Sequence, residues 1–368
     1  MGCRQPDTST AGDSTSAGTR QTTYSLDEDI GEMLLVGFRG TAIDSAANGD
    51  IVEAVRDYHV GSVILFDYDA PTGKRGRNIT GAEQVRALCG QLRGLSPTLF
   101  IGIDQEGGYV SRLSSRYGFR RIPSAKRMHQ LGEDSLRHYA DLTGAMLQDL
   151  GIDLDFAPVA DVDVNPDCPV IGRIERSFSA DAAEVGRSCQ VWIDAMARRG
   201  VASCMKHFPG HGSAKGDTHK GLVDVSDTWR REELAPYRSL DARTTMVMTA
   251  HVVNRRLDPT GLPASLSPRI TSLLRDTLGF GGVIVTDDLA MGAISSHYSL
   301  EQTLRLALEA GADLLCLSNN GSHYDTGLVA KAVGIIKGLV ADGTVSAERI
   351  RQSADRVRAL KAATASGK

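Results

Sequence analysis

Short apolar runs rich in β-branched residues recur eight times along this chain, with longer stretches of helical period between most of them. The runs are Leu34–Phe38, Ser62–Phe66, Leu99–Asp104, Leu154–Val159, Val201–His207, Thr245–Val252, Val283–Asp287 and Asp313–Ser318. Helices are expected over Asp50–Tyr58, Ala82–Leu92, Ser135–Leu150, Ala180–Arg199, Pro268–Leu278 and Leu300–Ala310. A tail helix is expected from Ser346 to about Ala362, because Ile350, Ala354, Val357 and Leu360 repeat on one face and Ser346 suits an N-cap. Strands alternating with helices imply a parallel sheet. Eight such units point to an α/β fold, a (β/α)8 TIM-like barrel forming a single catalytic domain. The open doubly wound sheet is the competitor. It usually carries a Gly-rich dinucleotide fingerprint after its first strand, whereas the first run here leads into Arg39-Gly40-Thr41.

Residues 1–24 are rich in Ser, Thr, Gly and Asp, and they are expected to form a disordered leader ahead of a barrel spanning 25–368. Cys3, followed by this polar tether, resembles the lipid-bearing first cysteine of a mature bacterial lipoprotein. The other reading is an incidental cysteine in a native tail. The first places the chain in the cell envelope, with a possible lipid anchor through Cys3; the alternative is the cytoplasm. The five other cysteines sit mostly in apolar surroundings and form no C-x-x-C pair, which suits small buried hydrophobes. Net charge is −4 with no long basic tract, so no nucleic-acid partner is expected. No apolar run approaches the ~20 residues that cross a bilayer.

A barrel gathers its functional residues where strands end. The third run ends in Asp104-Gln105-Glu106-Gly107-Gly108, the fifth in Lys206-His207, the sixth in His251, the seventh in Asp287-Asp288 and the eighth in Ser318-Asn319. Each alone is consistent with a turn former or a cap. Five strand ends with ionisable or amide groups on one rim imply a site.

The segment Lys206 to His219, KHFPGHGSAKGDTH, is the densest in chemistry. Pro209 and the glycines exclude a helix, so a strand feeds a loop loaded with titratable groups. An Asp217–His219 hydrogen bond would fix the ring's tautomer and favour the imidazolium, a serviceable acid at neutral pH; the plainer reading is a surface histidine. Asp287 stands in GVIVTDDLAMG, and strand alternation lets one aspartate face the barrel axis while Asp288 points aside or caps the next helix. On the axis Asp287 can be a nucleophile, a general base or a metal ligand. His207 and His211 have the spacing of helical zinc motifs, but Pro209 and Gly210 break the helix and Lys206 would repel a cation. Sugar or anion recognition is preferred, with no metal and no cofactor.

These motifs together resemble the β-N-acetylglucosaminidases of glycoside hydrolase family 3. KHFPGHG followed by DTH looks like the family signature, and DQEGG with Arg112 looks like its sugar-binding segment. IERSF at Ile174–Phe178 and GVIVTDDLAMGA at Gly282–Ala293 follow in the expected order. The resemblance covers roughly Asp29 to Asn320. It implies a (β/α)8 barrel that hydrolyses terminal β-linked N-acetylglucosamine with retention, from cell-wall fragments, as a carbohydrate-cleaving hydrolase of peptidoglycan recycling. It further implies Asp287 as nucleophile, His219 as acid/base with Asp217 as its partner, and Asp104, Arg112, Arg176, Lys206 and His207 as sugar-binding residues. Most retaining glycosidases use two carboxylates; here a histidine on a loop would replace one and move in after the sugar binds.

Two departures stand out. Thr218 replaces the usual Ser, and Tyr109 replaces an Arg that commonly follows the paired glycines. No second sandwich domain follows the barrel in this sequence, which favours the N-acetylglucosaminidase branch over the β-glucosidases. The loop Asp67–Gly81 is basic through Lys74, Arg75 and Arg77; it is either simply solvated or it meets an acidic aglycone. Rival readings are a phosphorylase using phosphate in place of water, a sugar-binding barrel without catalysis, and a metal-dependent barrel hydrolase.

Overall fold

Eight parallel strands form one sheet in a computed structural model that describes residues 1–2, 24–44, 46–238 and 240–366. They are β1 (Leu34–Gly37), β2 (Ser62–Leu65), β3 (Phe100–Ile103), β4 (Leu154–Asp155), β5 (Ala202–Phe208), β6 (Thr245–Thr249), β7 (Ile284–Thr286) and β8 (Leu315–Leu317). Consecutive strands pair from β1 to β7, and β8 pairs with β1. The ring closes between β7 and β8 through one bridge, Val285 to Leu314. Side chains reinforce that seam. The Thr286 hydroxyl oxygen accepts the Cys316 N–H at 3.1 Å, and the Asp313 carboxylate accepts the Ile284 N–H at 2.9 Å. The expected barrel is therefore the observed one.

Alternation along the strands builds two apolar layers. Leu35, Ile64, Phe100, Phe156, Cys204, Met246 and Val285 fill the barrel interior. Their neighbours Leu34, Val36, Val63, Leu65, Ile101 and Ile103 face outward into the shell of helices. The fourth run was expected to reach Val159, but β4 stops at Asp155. Pro158 has no N–H to give a ladder, and Val159 rejoins through a single bridge to Lys206.

The helices are α1 (Leu26–Glu32), α2 (Gly49–Arg56), α3 (Ala82–Leu95), α4 (Ala125–Gln130), α5 (Glu133–Leu150), α6 (Ala182–Ala197), α7 (Pro268–Ser272), α8 (Gly292–Ser295), α9 (Leu300–Ala310), α10 (Leu328–Ala341) and α11 (Ala347–Ala365). α9 begins in a capping box between Ser299 and Gln302 and ends at Gly311, whose φ of 99° suits glycine. Ser346 caps α11 as expected, accepting the Arg349 N–H. Val357 and Leu360 of α11 join the interior cluster and so plug one end of the barrel. α10 is absent from the expectations because Gly334 and Gly338 lower its apparent helix propensity. Between β5 and β6 the outer layer is a 3-10 segment, Arg231–Tyr237, which holds Pro236.

The five cysteines expected to be buried are buried and free. Cys3 lies outside the described residues. The basic loop after β2 is more ordered than expected, with an antiparallel pair, Tyr68–Asp69 against Lys74–Arg75. Arg77 corrects the acidic-aglycone idea. Its side chain is buried, paired with Asp69 at 2.7 Å, and it donates to the carbonyls of Phe38 and Asn319. It is a strut between the loops after β1, β2 and β8.

Candidate active site

A cavity of about 290 Å3 opens where the strands end. Asp104, Arg112, Arg176, Lys206, His207, His219 and Asp287 all line it. Asp217 does not, but it is bound to His219. Residues 183 positions apart in sequence, Asp104 and Asp287, thus share one small space, as strand-end geometry requires.

After β3 the chain folds into a hairpin, Gln105–Gly107 against Val110–Ser111. Gly107 and Gly108 have φ of 89° and 60°, a conformation that favours glycine, and an added Cβ on Gly108 would lie 2.8 Å from Ser124. This turn presents Asp104 and Glu106 to the cavity. Lys206 Nζ sits between them, 2.8 Å from Asp104 and 2.7 Å from Glu106. Arg112 reaches Asp104 at 3.2 Å, and Arg176 holds Glu106 in a fork of two 2.8 Å bonds. Burial alone would raise the Asp104 carboxyl, but Lys206 and Arg112 overcome it and hold the group well below its ordinary value. Burial would likewise lower the Lys206 ammonium, yet Asp104 and Glu106 lift it above the usual lysine range. Asp104, Glu106, Lys206 and Arg176 are charged at neutral pH, and with Arg112 they form a polar floor.

Consecutive residues of a regular strand face opposite sides, yet Lys206 and His207 both line the cavity. A bulge explains this. The register passes from Met248–Lys206 to Thr249–Phe208, leaving His207 unpaired against β6. Asp161 then fixes the ring, with one oxygen 2.7 Å from His207 Nδ1. Its other oxygen accepts the backbone N–H of His207 at 3.1 Å and of His211 at 2.7 Å. Burial would raise the Asp161 carboxyl, but His207 and His211 bring it down to about 2.

Asp287 follows β7; among the described residues it and Asp288 are the acids of the cavity that form no ion pair. Among the described residues Asp287 accepts only the neighbouring Asp288 N–H, at 2.8 Å. Burial would raise its carboxyl, but His251 and His207 lower it below the ordinary aspartate value, so it is ionised at neutral pH. Asp288 is not the helix cap the sequence suggested. α8 starts after Met291, and the Asp288 carboxylate instead takes the Ser318 hydroxyl, the Ser318 N–H at 3.0 Å and the Ala290 N–H at 3.1 Å. It binds the loop after β7 to the end of β8. His251, at the end of β6, donates from Nε2 to the Asp288 carbonyl at 2.9 Å.

His219 stands on the loop after β5 with its side chain 65% exposed. Its Nδ1 is 2.8 Å from Asp217, as the spacing suggested, which leaves Nε2 as the free ring nitrogen. Four further residues contribute to the site: Glu106, His211 and Thr218, which the sequence reading named without giving them a role there, and Asp161, which it missed. Glu106 stood in plain view beside Asp104. The run Ala160-Asp161-Val162-Asp163 carried the only hint of Asp161. Tyr109 is 79% exposed and does not line the cavity. Among the described residues no group of three or more His, Cys, Asp or Glu is placed to hold a metal ion.

The profile of the Glycosyl hydrolase family 3 N terminal domain matches residues 25–360. A β-hexosaminidase from Pseudomonas aeruginosa is 34% identical over 284 residues, covering 76% of this chain and 81% of the relative. One from Aromatoleum aromaticum is 37% identical over 281 residues, covering 73% and 74%. Among solved structures, a family 3 β-N-acetylglucosaminidase from Paenibacillus sp. str. FPU-7 superposes with a TM-score of 0.83 at 35% identity. That match covers 93% of this chain but 63% of the longer Paenibacillus chain. A β-N-acetylhexosaminidase from Beutenbergia cavernae gives 0.80 at 29% identity, covering 93% and 100%. The motifs, the barrel and these relatives agree: the chain belongs to glycosyl hydrolase family 3.

Proposed function

We propose that this glycoside hydrolase is a retaining exo-β-N-acetylglucosaminidase. The observation that carries the proposal is the state of Asp287. Asp104 and Glu106 are spent on cations, whereas Asp287 is ionised, half-buried and without an ion pair among the described residues, and it shares the cavity with a loop histidine whose Nδ1 is already taken. An ionised carboxylate with a free lone pair can attack an anomeric carbon. The leaving oxygen then takes a proton from His219 Nε2 as the glycosidic bond breaks, giving a glycosyl-aspartate. Water next gives a proton back to His219 and attacks the same carbon, releasing Asp287 and the sugar. Asp104, Arg112, Arg176, Lys206 and His207 supply the donors and acceptors that hold the sugar's hydroxyls and acetamido group. A cavity of about 290 Å3 suits a single terminal residue better than the middle of a chain. The hexosaminidase names of the relatives support the sugar, and cell-wall fragments are the source we assign to it.

The test is release of p-nitrophenol from its β-N-acetylglucosaminide by wild type and Asp287→Ala, with and without azide. The variant should lose about 10³-fold or more in kcat, and azide should restore part of it as a glycosyl azide. A variant that keeps a tenth of the wild-type rate would rule Asp287 out as nucleophile. Parallel assays on chitobiose and on a muropeptide test the cell-wall assignment, which requires the muropeptide to be the better substrate.

A further inference from the structure

We infer that Thr218 is a positioning residue for the acid/base histidine, locking its loop to the rigid end of β5 through His211. This rests on the assignment of His219 as the acid. From Lys215 to Leu222 the loop is exposed or half-exposed except at one residue, Thr218, which is 2% exposed. Thr218 lies between Asp217 and His219, so the two members of the dyad flank the loop's only buried point. Its hydroxyl is 3.3 Å from His211 Nε2, and its carbonyl accepts the Ala293 N–H at 3.0 Å. An added Cβ on Gly292 would lie 2.6 Å from the His219 carbonyl oxygen, so α8 is packed against the dyad's backbone.

The other end of the contact does not give way. His211 is buried, its N–H is held by Asp161 at 2.7 Å, and an added Cβ on Gly212 would meet the Val162 carbonyl at 1.8 Å. Burial pushes its ring down to about 4, so at neutral pH it is an uncharged hydrogen-bonding partner. A dyad on an exposed loop would otherwise sample many positions, and a general acid acts only within hydrogen-bond reach of the leaving oxygen. The Thr218 hydroxyl therefore sets where His219 stands.

The experiment compares Thr218→Val, Thr218→Ser and His219→Ala on two N-acetylglucosaminides, one with a 2,4-dinitrophenyl leaving group and one with a sugar leaving group. The quantity is kcat/KM, which reports formation of the glycosyl-enzyme. Dinitrophenolate departs without a proton, so a misplaced acid costs rate only on the sugar. Thr218→Val should lose about tenfold or more on the sugar and less than about threefold on the dinitrophenyl substrate, and Thr218→Ser should stay near wild type. Equal losses on both substrates, as damage to the fold would give, overturn the inference, and so does no loss on either. His219→Ala separates this outcome from failure of the functional assignment. If it discriminates between the substrates and Thr218→Val does not, only the anchor falls. If His219→Ala does not discriminate, the acid assignment falls with it.

Discussion

Lys206 places one buried ammonium between two carboxylates. Replacing it by Met leaves Asp104 with Arg112 and Glu106 with Arg176, and removes the shared charge. Loss of one member of a buried network costs about 3–5 kcal/mol, so a large drop in thermal midpoint is expected at pH 7. The pH dependence has a defined sign. Asp104 is depressed in the folded state, so the stability it contributes is present above its ordinary value of 3.8 and is lost as pH falls through the folded value. The gap between wild type and Lys206→Met should therefore narrow as pH falls below about 4. Thermal scans at pH 7 and pH 3 check this, and a constant gap would mean packing rather than charge. Glu233 behaves in the opposite sense. One oxygen accepts the Arg230 N–H at 2.9 Å, and burial raises the carboxyl to about 7 against the opposing pull of Arg230 and Ser213. Its contribution is complete below its ordinary value of 4.5 and is lost as pH rises through about 7. Glu233→Gln should gain thermal stability relative to wild type on going from pH 5 to pH 8, and a difference independent of pH would refute it. At this scale the sequence exposed residue types but not their partners. Asp287, His219 and Lys206 were legible because strand ends and an Asp-x-His spacing carry local meaning. Asp161 and Glu233 were not, since their roles depend on which carboxylates the fold buries beside which loop.

The loop after β5 is supported from beneath by an element with no conspicuous motif. Trp229 donates from Nε1 to the Pro209 carbonyl at 3.0 Å, and Tyr237 meets Phe208 edge-on at 5.1 Å. The loop's glycines divide by what surrounds them. Gly212 lies against the Val162 carbonyl, where a Cβ would approach to 1.8 Å, whereas nothing lies within 4 Å of a Cβ on Gly221. Gly212→Ala should cost about 1–3 kcal/mol and most of the activity, since the loop must lift off its seat. Gly221→Ala should leave both unchanged. Thermal midpoints and kcat/KM of the two variants decide the matter, and equal behaviour would contradict the packing. Such contrasts explain where sequence reading stops at the level of elements. Periodicity finds strands and amphipathic helices. It cannot distinguish a glycine required by close approach from one in open space, nor see that Arg77 in a polar loop is a buried strut.

At the scale of the whole barrel, the weak point is the seam between β7 and β8, where one bridge closes the ring. Asp313 guards it from the end opposite the cavity. Its carboxylate takes the Ile284 N–H at 2.9 Å, the Ser353 hydroxyl at 2.7 Å and Arg356 of α11 at 3.0 Å, and it also pairs with Arg275. The residue thus joins the seam to the segment after α7 and to the helix that plugs the barrel. Asp313→Ala removes the acceptor for all of them and leaves partly buried guanidiniums without an anion, at a cost of about 3–5 kcal/mol. Thr286→Val is a milder cut at the same seam, removing the oxygen that accepts the Cys316 N–H. Hydrogen exchange should rise first in 284–286 and 315–317 in both variants, while 62–65 and 100–103 stay protected. The cavity is built at the end opposite Asp313, so kcat/KM of Asp313→Ala measured well below the thermal midpoint should remain near wild type. Exchange that rises evenly around all eight strands would mean that the ring opens as one unit and that the seam has no special weakness. Exchange confined to the seam would instead separate the two ends of the barrel, with closure secured at one and chemistry carried out at the other.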